Sequence, residues 1–96
     1  MIAVHPGDAL RLEMEARGLS ANALALALRV SSGRITDILN YKRGISPETA
    51  LRLGRYFETG AALWLNMQTA FDLAKAENEL GERRTREVQP PITVTG

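Results

Sequence analysis

Apolar residues recur at helical spacing through most of the chain, and the residues between the runs divide them into five helices. Pro6 stands at a helix start, where the N–H it lacks would have no partner inside the helix. Ala9, Leu10, Leu12, Met14 and Ala16 follow, and Gly18 takes the place of a C-terminal glycine cap. Ser20 is the N-cap of a second helix, Ala21 to Leu28, almost all alanine and leucine and so expected to be buried on most sides. Ser31 and Ser32 offer the cap of a third, Ser32 to about Asn40, with Ile35, Ile38 and Leu39 on one face and Arg34, Thr36 and Asp37 on others. Ser46-Pro47-Glu48-Thr49 sets a serine cap, a proline at the first helical position and an acid in the first turn. The fourth helix that it starts runs to about Tyr56, with Ala50, Leu51, Leu53 and Phe57 as its apolar stripe. Past Gly60, the spacing of Leu63, Trp64, Met67, Ala70, Phe71 and Ala74 predicts a fifth helix, Ala61 to about Ala76.

No apolar-polar alternation precedes the terminal Ile92-Thr93-Val94-Thr95, so the expected fold is all-α. From Glu77 onward the chain is charged and then proline-containing, and Pro90-Pro91 prevents regular structure. That composition predicts one folded domain over residues 1–76 and a tail over 77–96, mobile or ordered by a partner. A chain of 96 residues suits a single core and is too short for two, and it contains no internal repeat.

The tight connection between the second and third helices suggests a DNA-binding arrangement. Within Ala21–Asn40, the residues Leu24, Ala25, Leu28, Val30, Ile35 and Ile38 fall on the buried positions of a helix-turn-helix. Ala25 is small where two steeply crossed helices approach, Val30 fills the turn, and Ile35 and Ile38 anchor the recognition helix. What remains outward is Ser31, Ser32, Gly33, Arg34, Thr36, Asp37 and Asn40, short or polar groups gathered toward the end that enters a major groove.

Charge sharpens this picture more than composition does. The net charge is only +1, but residues 29–56 hold Arg29, Arg34, Lys42, Arg43, Arg52 and Arg55 against Asp37 and Glu48. A phosphate-facing surface requires such a concentration, and so does an ordinary solvated helix face. With no cysteine, the chain has neither disulfides nor thiolate metal sites. His5, the single histidine, has no second histidine, cysteine or carboxylate set with which to bind metal or catalyse, so no cofactor and no enzyme activity are expected. The longest apolar run, Ala23 to Leu28, is far shorter than the roughly 20 residues of a membrane span, and no signal layout opens the chain. A cytoplasmic location is the expectation.

The stretches His5-Pro6-Gly7-Asp8, Arg17-Gly18-Leu19-Ser20, Leu24-Ala25, Val30-Ser31, Arg34 to Asn40, Lys42 to Ser46, Thr49 to Phe57 and Trp64-Leu65-Asn66-Met67-Gln68 resemble the HigA-type antitoxins, within the Cro/repressor-like regulators. The resemblance spans about residues 5–76, and the opening His-Pro-Gly and closing Trp-Leu-x-x-Gln are its most particular parts. It implies a five-helix, lambda-repressor-like domain that dimerises, binds a palindromic operator and represses its own operon. It also implies neutralisation of a HigB-type toxin, a small RelE-like RNase that cleaves ribosome-bound mRNA. Three positions depart from the pattern. Ala21 replaces the glutamine that often grips a phosphate, Arg29 stands where a turn glycine is usual, and Tyr41 follows Asn40 where glycine is common.

Arg34 is a candidate for bidentate contact to guanine, with a phosphate contact or an ion pair to a neighbouring acid as alternatives. Ser31 and Thr36 suit a phosphate or a base edge, and Ser31 also suits a cap. Asp37 suits either acceptance from a cytosine amino group or orientation of an arginine. Lys42 and Arg43 suit phosphate clamps, and Ser32 and Asn40 complete the DNA-facing set. Leu63, Trp64, Met67 and Phe71 offer more apolar area than one helix needs and are candidates for the dimer surface; Trp64 and Phe71, two turns apart on one face, suit core or dimer seam. The toxin surface stays open between the N-terminus, the fifth helix and the tail.

Overall fold

The computed structural model describes residues 4–92. The chain forms α1 (Pro6–Arg17), α2 (Ala21–Leu28), α3 (Ser32–Leu39), α4 (Pro47–Tyr56), α5 (Ala61–Leu80) and α6 (Arg83–Glu87), with no strand among the described residues. The caps lie where the sequence puts them. Ser20, Ser31 and Ser46 each accept a backbone N–H three residues on, at 3.0, 3.1 and 3.2 Å, and Gly18 ends α1 in the left-handed region. Pro47 opens α4 directly behind the Ser46 cap.

One core runs through the first five helices. Leu10 and Met14 of α1 meet Leu24, Ala25 and Leu28 of α2, Ile35 and Ile38 of α3, Ala50 and Leu53 of α4, and Trp64 of α5, with Ile45 and Phe57 from the connections. Trp64 is 1% exposed, packs beside Phe57, and donates its indole N–H to the Thr59 hydroxyl at 2.9 Å. Two glycines permit close approach. A Cβ on Gly54 would lie 2.3 Å from the Gly60 carbonyl carbon, and one on Gly7 would lie 2.3 Å from the Ile38 carbonyl oxygen. Gly54 lets α4 turn tightly into α5, and Gly7 lets the start of α1 rest on the end of α3.

Three expectations need correction. α2 is not buried on most sides: Leu26 is 71% exposed, and Asn22, Ala23 and Ala27 are exposed with it. α5 does not stop near Ala76 but continues to Leu80, and α6 follows within the stretch expected to be an irregular tail. Lys75–Glu79 and Arg83–Glu87 are ion pairs one turn apart along these helices, and Arg84 reaches back to Glu77 at 3.9 Å. The charged composition read as a tail is equally that of a solvated helix. Only Trp64 and Ala74 of the 20 residues in α5 are buried, so this helix leaves the core as an arm and stretches the molecule to 62 × 26 × 21 Å. The exposed segment from Val88 to Ile92 is irregular, as Pro90-Pro91 requires, and Thr93-Val94-Thr95 lies outside the described residues.

Candidate nucleic-acid interface

The α2–α3 joint has helix-turn-helix geometry because its side chains fit the six buried positions. Leu24, Ala25, Leu28, Ile35 and Ile38 are at most 4% exposed, and Val30 is half-buried in the turn. Ala25 is also the residue whose carbonyl accepts the Val30 N–H, at 3.0 Å, to close the turn. Arg29 makes this closure in the left-handed region, φ 58° and ψ 47°, and so carries a backbone conformation better suited to glycine.

On α3, Ser31, Ser32, Gly33, Thr36 and Asn40 are exposed, and Arg34 and Asp37 are half-buried. Ser31 is the cap, which leaves the Ser32 side chain free of that duty. The Thr36 hydroxyl donates to the Ser32 carbonyl at 2.9 Å, so outwardly it offers acceptance and a methyl group. Lys42 and Arg43 are exposed in the α3–α4 loop and form no ion pair among the described residues. The exposed end of α3 and the two loop cations therefore lie at either end of one short helix.

Of the alternatives open for Arg34, the free protein displays the ion pair. Its Nη1 lies 3.4 Å from Glu48 Oε1, which Arg52 Nε also approaches at 3.1 Å. Arg52 in turn donates from Nη1 to the Leu28 carbonyl at 2.8 Å, satisfying the end of α2. Hydrogen bonds from Arg52 and then Arg34 hold the Glu48 carboxyl below its ordinary range. The Arg34 Nε is buried with no partner among the described residues, one donor of its guanidinium left without an acceptor. Glu48 was absent from the sequence-based site, and Arg52 entered it only as part of the local concentration of positive charge. Their four-residue spacing on α4 announces their mutual pair, but the reach to α3 and α2 exists only in the fold.

A cleft of about 450 Å³ opens beside this network, lined by Ala27, Leu28, Arg29, Arg52, Arg55 and Tyr56. It gathers three arginines near the ends of α2 and α4, where cations complement the helix dipoles.

The apolar set on α5 divides. Leu63 is 46% exposed and Met67 and Phe71 are half-buried, but Trp64 is enclosed within its own chain and has no surface to offer a second one. Trp64 is therefore removed from the dimer set. Leu73, 58% exposed on the same arm, is a residue that the sequence reading did not single out.

His5 is a helix cap. Its Nδ1 accepts the Gly7 N–H at 2.9 Å, a bond that needs the unprotonated ring, and burial lowers its pKa against the opposing pull of Asp8 and Asp72. Among the described residues no three His, Cys, Asp or Glu side chains gather into a metal-binding group, and no helix is long and apolar enough to cross a membrane.

Residues 7–64 match the family described as helix-turn-helix domain. Virulence-associated protein I of Dichelobacter nodosus is 56% identical over 80 residues, covering 82% of this chain and 74% of that protein. The uncharacterized HTH-type transcriptional regulator YbaQ of Escherichia coli K12 is 39% identical over 83 residues, covering 85% and 71%. Among solved structures, an addiction module antidote protein of the HigA family from Coxiella burnetii superposes with a TM-score of 0.90 at 40% identity, covering 95% of this chain and 100% of that one. Pseudomonas aeruginosa antitoxin HigA, solved with the higBA promoter, gives 0.89 at 42% identity, covering 93% and 98%.

Proposed function

This chain belongs to the helix-turn-helix family, with the HigA-type antitoxins among its structural relatives, and on that premise we propose that it is an antitoxin and repressor. It binds operator DNA as a homodimer, silences its own operon, and neutralises a HigB-type, RelE-like mRNA-cleaving toxin in the cytoplasm. The observation that carries the reading is the exposed polar face of α3, buried only through Ile35 and Ile38, beside two loop cations with no ion pair among the described residues, in a fold shared with a promoter-bound antitoxin. In this reading Ser31, Ser32, Thr36, Asp37 and Asn40 face the groove, and Lys42 and Arg43 clamp phosphates. Arg34 exchanges part of its Glu48 contact for a base or a phosphate. Residues 1–76 supply DNA binding and dimerisation, with Leu63, Met67 and Phe71 at the seam, and residues 77–96 form a charged appendage that is helical in part. Two recognition helices about 34–36 Å apart then require an inverted-repeat operator.

A gel-shift titration of the chain against its own promoter, repeated over a salt series, tests the DNA half. The logarithm of affinity is expected to fall steeply and linearly with the logarithm of salt. Absence of any retarded complex at low salt defeats it. Copurification with the product of the adjacent gene, expected to be a small basic protein, tests the toxin half. A second reading, a stand-alone repressor with no toxin, is favoured by the regulator name of a relative at 39% identity. It gains if promoter binding holds and no toxin gene adjoins.

A further inference from the structure

The two motifs that flank the helix-turn-helix, His5-Pro6-Gly7-Asp8 and Trp64-Leu65-Asn66-Met67-Gln68, lie far apart in sequence. Both reach the α3–α4 loop. At its first residue, Tyr41 has φ 64°, a left-handed backbone rarely taken by a side-chain-bearing residue. Its ring meets the His5 ring edge-on at 5.0 Å between centroids, and its hydroxyl donates to Asp8. The His5 ring also meets Phe71 of α5, at 4.8 Å and again edge-on. The Asp8 bond raises the Tyr41 pKa. At the far end of the loop, the Ile45 N–H donates to Gln68 Oε1 at 2.7 Å. Gly44 lies so close to that amide that a Cβ would approach Gln68 Nε2 to 2.8 Å. Between these anchors stand Lys42 and Arg43, with the Lys42 N–H held by the Asp37 carbonyl at 2.8 Å.

We infer that the two flanking motifs form a clasp on this loop: Asp8 and His5, the latter packed on Phe71, grip Tyr41, Gln68 grips Gly44 and Ile45, and together they present Lys42 and Arg43 as a preset pair of cations. These are positioning residues, acting through the loop backbone and not by touching a ligand. A chain segment fixed at both ends loses its freedom on folding instead of on binding, so its cations meet phosphates already ordered. The clasp also explains how Tyr41 keeps its backbone conformation, since an aromatic stack and a hydrogen bond oppose the strain at that residue. Because Phe71 and Gln68 both lie on α5, the loop is tied to the same helix that carries the proposed dimer seam. The consequence for DNA rests on the proposed function; the gripping of the loop does not.

The test uses the full chain with Tyr41→Gly, which accepts the left-handed backbone but removes ring and hydroxyl, Tyr41→Phe, which keeps the ring, and Gln68→Ala, which releases the other end. Hydrogen exchange of the Lys42 and Ile45 amides in the free protein reads the clasp directly. It is expected to quicken about tenfold or more in Tyr41→Gly and Gln68→Ala, while amides of the buried α3 residues keep their protection. Tyr41→Phe is expected to recover part of the protection. Promoter affinity over a salt series reads the consequence: Tyr41→Gly should weaken binding and make the log–log slope shallower by about one to two, the loss of one or two phosphate contacts. Unchanged exchange at both amides overturns the clasp. Quickened exchange with an unchanged slope overturns its role toward phosphates. If the wild type binds no promoter DNA, the proposed function falls and the exchange data decide the clasp alone.

Discussion

Two neighbouring helices of equal length, α2 and α3, carry opposite kinds of sequence and meet each other in the same core. α2 reads ANALALAL and buries Leu24, Ala25 and Leu28. α3 reads SGRITDIL and buries Ile35 and Ile38. The other face of the apolar helix lies in solvent, with Leu26 71% exposed, and the other face of the polar helix is the proposed reader of DNA. Apolar content sets how much a helix is able to bury, whereas the contrast between its faces decides which face does so. α3 has that contrast and its orientation is fixed by two isoleucines. α2 lacks it, and only the position of Ala25 in the turn geometry selects its inner side.

The comparison is sharpest in paired truncations. Ile38→Ala removes a side chain of 0% exposure and should destabilise by about 2–5 kcal/mol in urea titration. Leu26→Ala on the richer helix should change stability by no more than about 0.5 kcal/mol. A loss above about 1 kcal/mol at Leu26 would break the comparison, because it would mean that a second chain covers this face in solution.

Enlarging alanines in α2 probes the same asymmetry from inside the helix. Ala25 is 2% exposed at the crossing with α3, so Ala25→Leu should cost about 1–3 kcal/mol through overpacking. Ala27→Leu, two positions on and exposed, should leave the melting temperature nearly unchanged. Equal effects at the two sites would show that the crossing has room to spare, contrary to its burial.

The caps should respond alike despite the different compositions they serve. Ser20 and Ser31 accept N–H groups of α2 and α3 at 3.0 and 3.1 Å. Replacement of either by alanine should therefore cost about 1 kcal/mol by thermal or urea unfolding. Only Ser31→Ala should also weaken promoter binding, since its hydroxyl stands at the end of α3 proposed to enter the groove. Equal promoter affinity for the two variants would remove Ser31 from the proposed interface.

Much of this was legible in the sequence because it depends on local chemistry. Ser20, Ser46-Pro47 and Gly18 announce helix ends through hydrogen bonds that span only a few residues, and the six apolar positions of the helix-turn-helix follow from spacing. Burial of α2 was misjudged because a helix apolar on nearly every side, with Asn22 as its single polar residue, gives little sign of which side meets a partner. The reach of α5 to Leu80 was missed because Glu77 to Leu80 has the charge expected of a solvated tail and equally of a solvated helix turn. Arg34 illustrates a third limit. Its outward position was readable, but its pairing with Glu48 joins residues fourteen positions apart, and only the packing of α3 and α4 against α2 brings them together. The same holds for Tyr41 with Asp8, thirty-three positions away, and for Gln68 with Ile45.

The smallest expected effect lies at the joint between the two compared helices. Arg29 closes α2 with φ 58° and ψ 47°, a conformation that costs a side-chain-bearing residue about 1–2 kcal/mol because its Cβ crowds the following carbonyl. Arg29→Gly removes that strain but widens the freedom of the unfolded chain, worth roughly 0.5–1 kcal/mol in the opposite direction. The net should be a gain of about 0.5–1 kcal/mol, read as a rise in the urea midpoint at constant slope. A loss would show that the Arg29 side chain, at the edge of the cleft with Arg55 and Tyr56, makes contacts that outweigh the backbone strain. The turn would then be stabilised by tertiary packing against α4, and the contrast between α2 and α3 would extend to the residue that joins them.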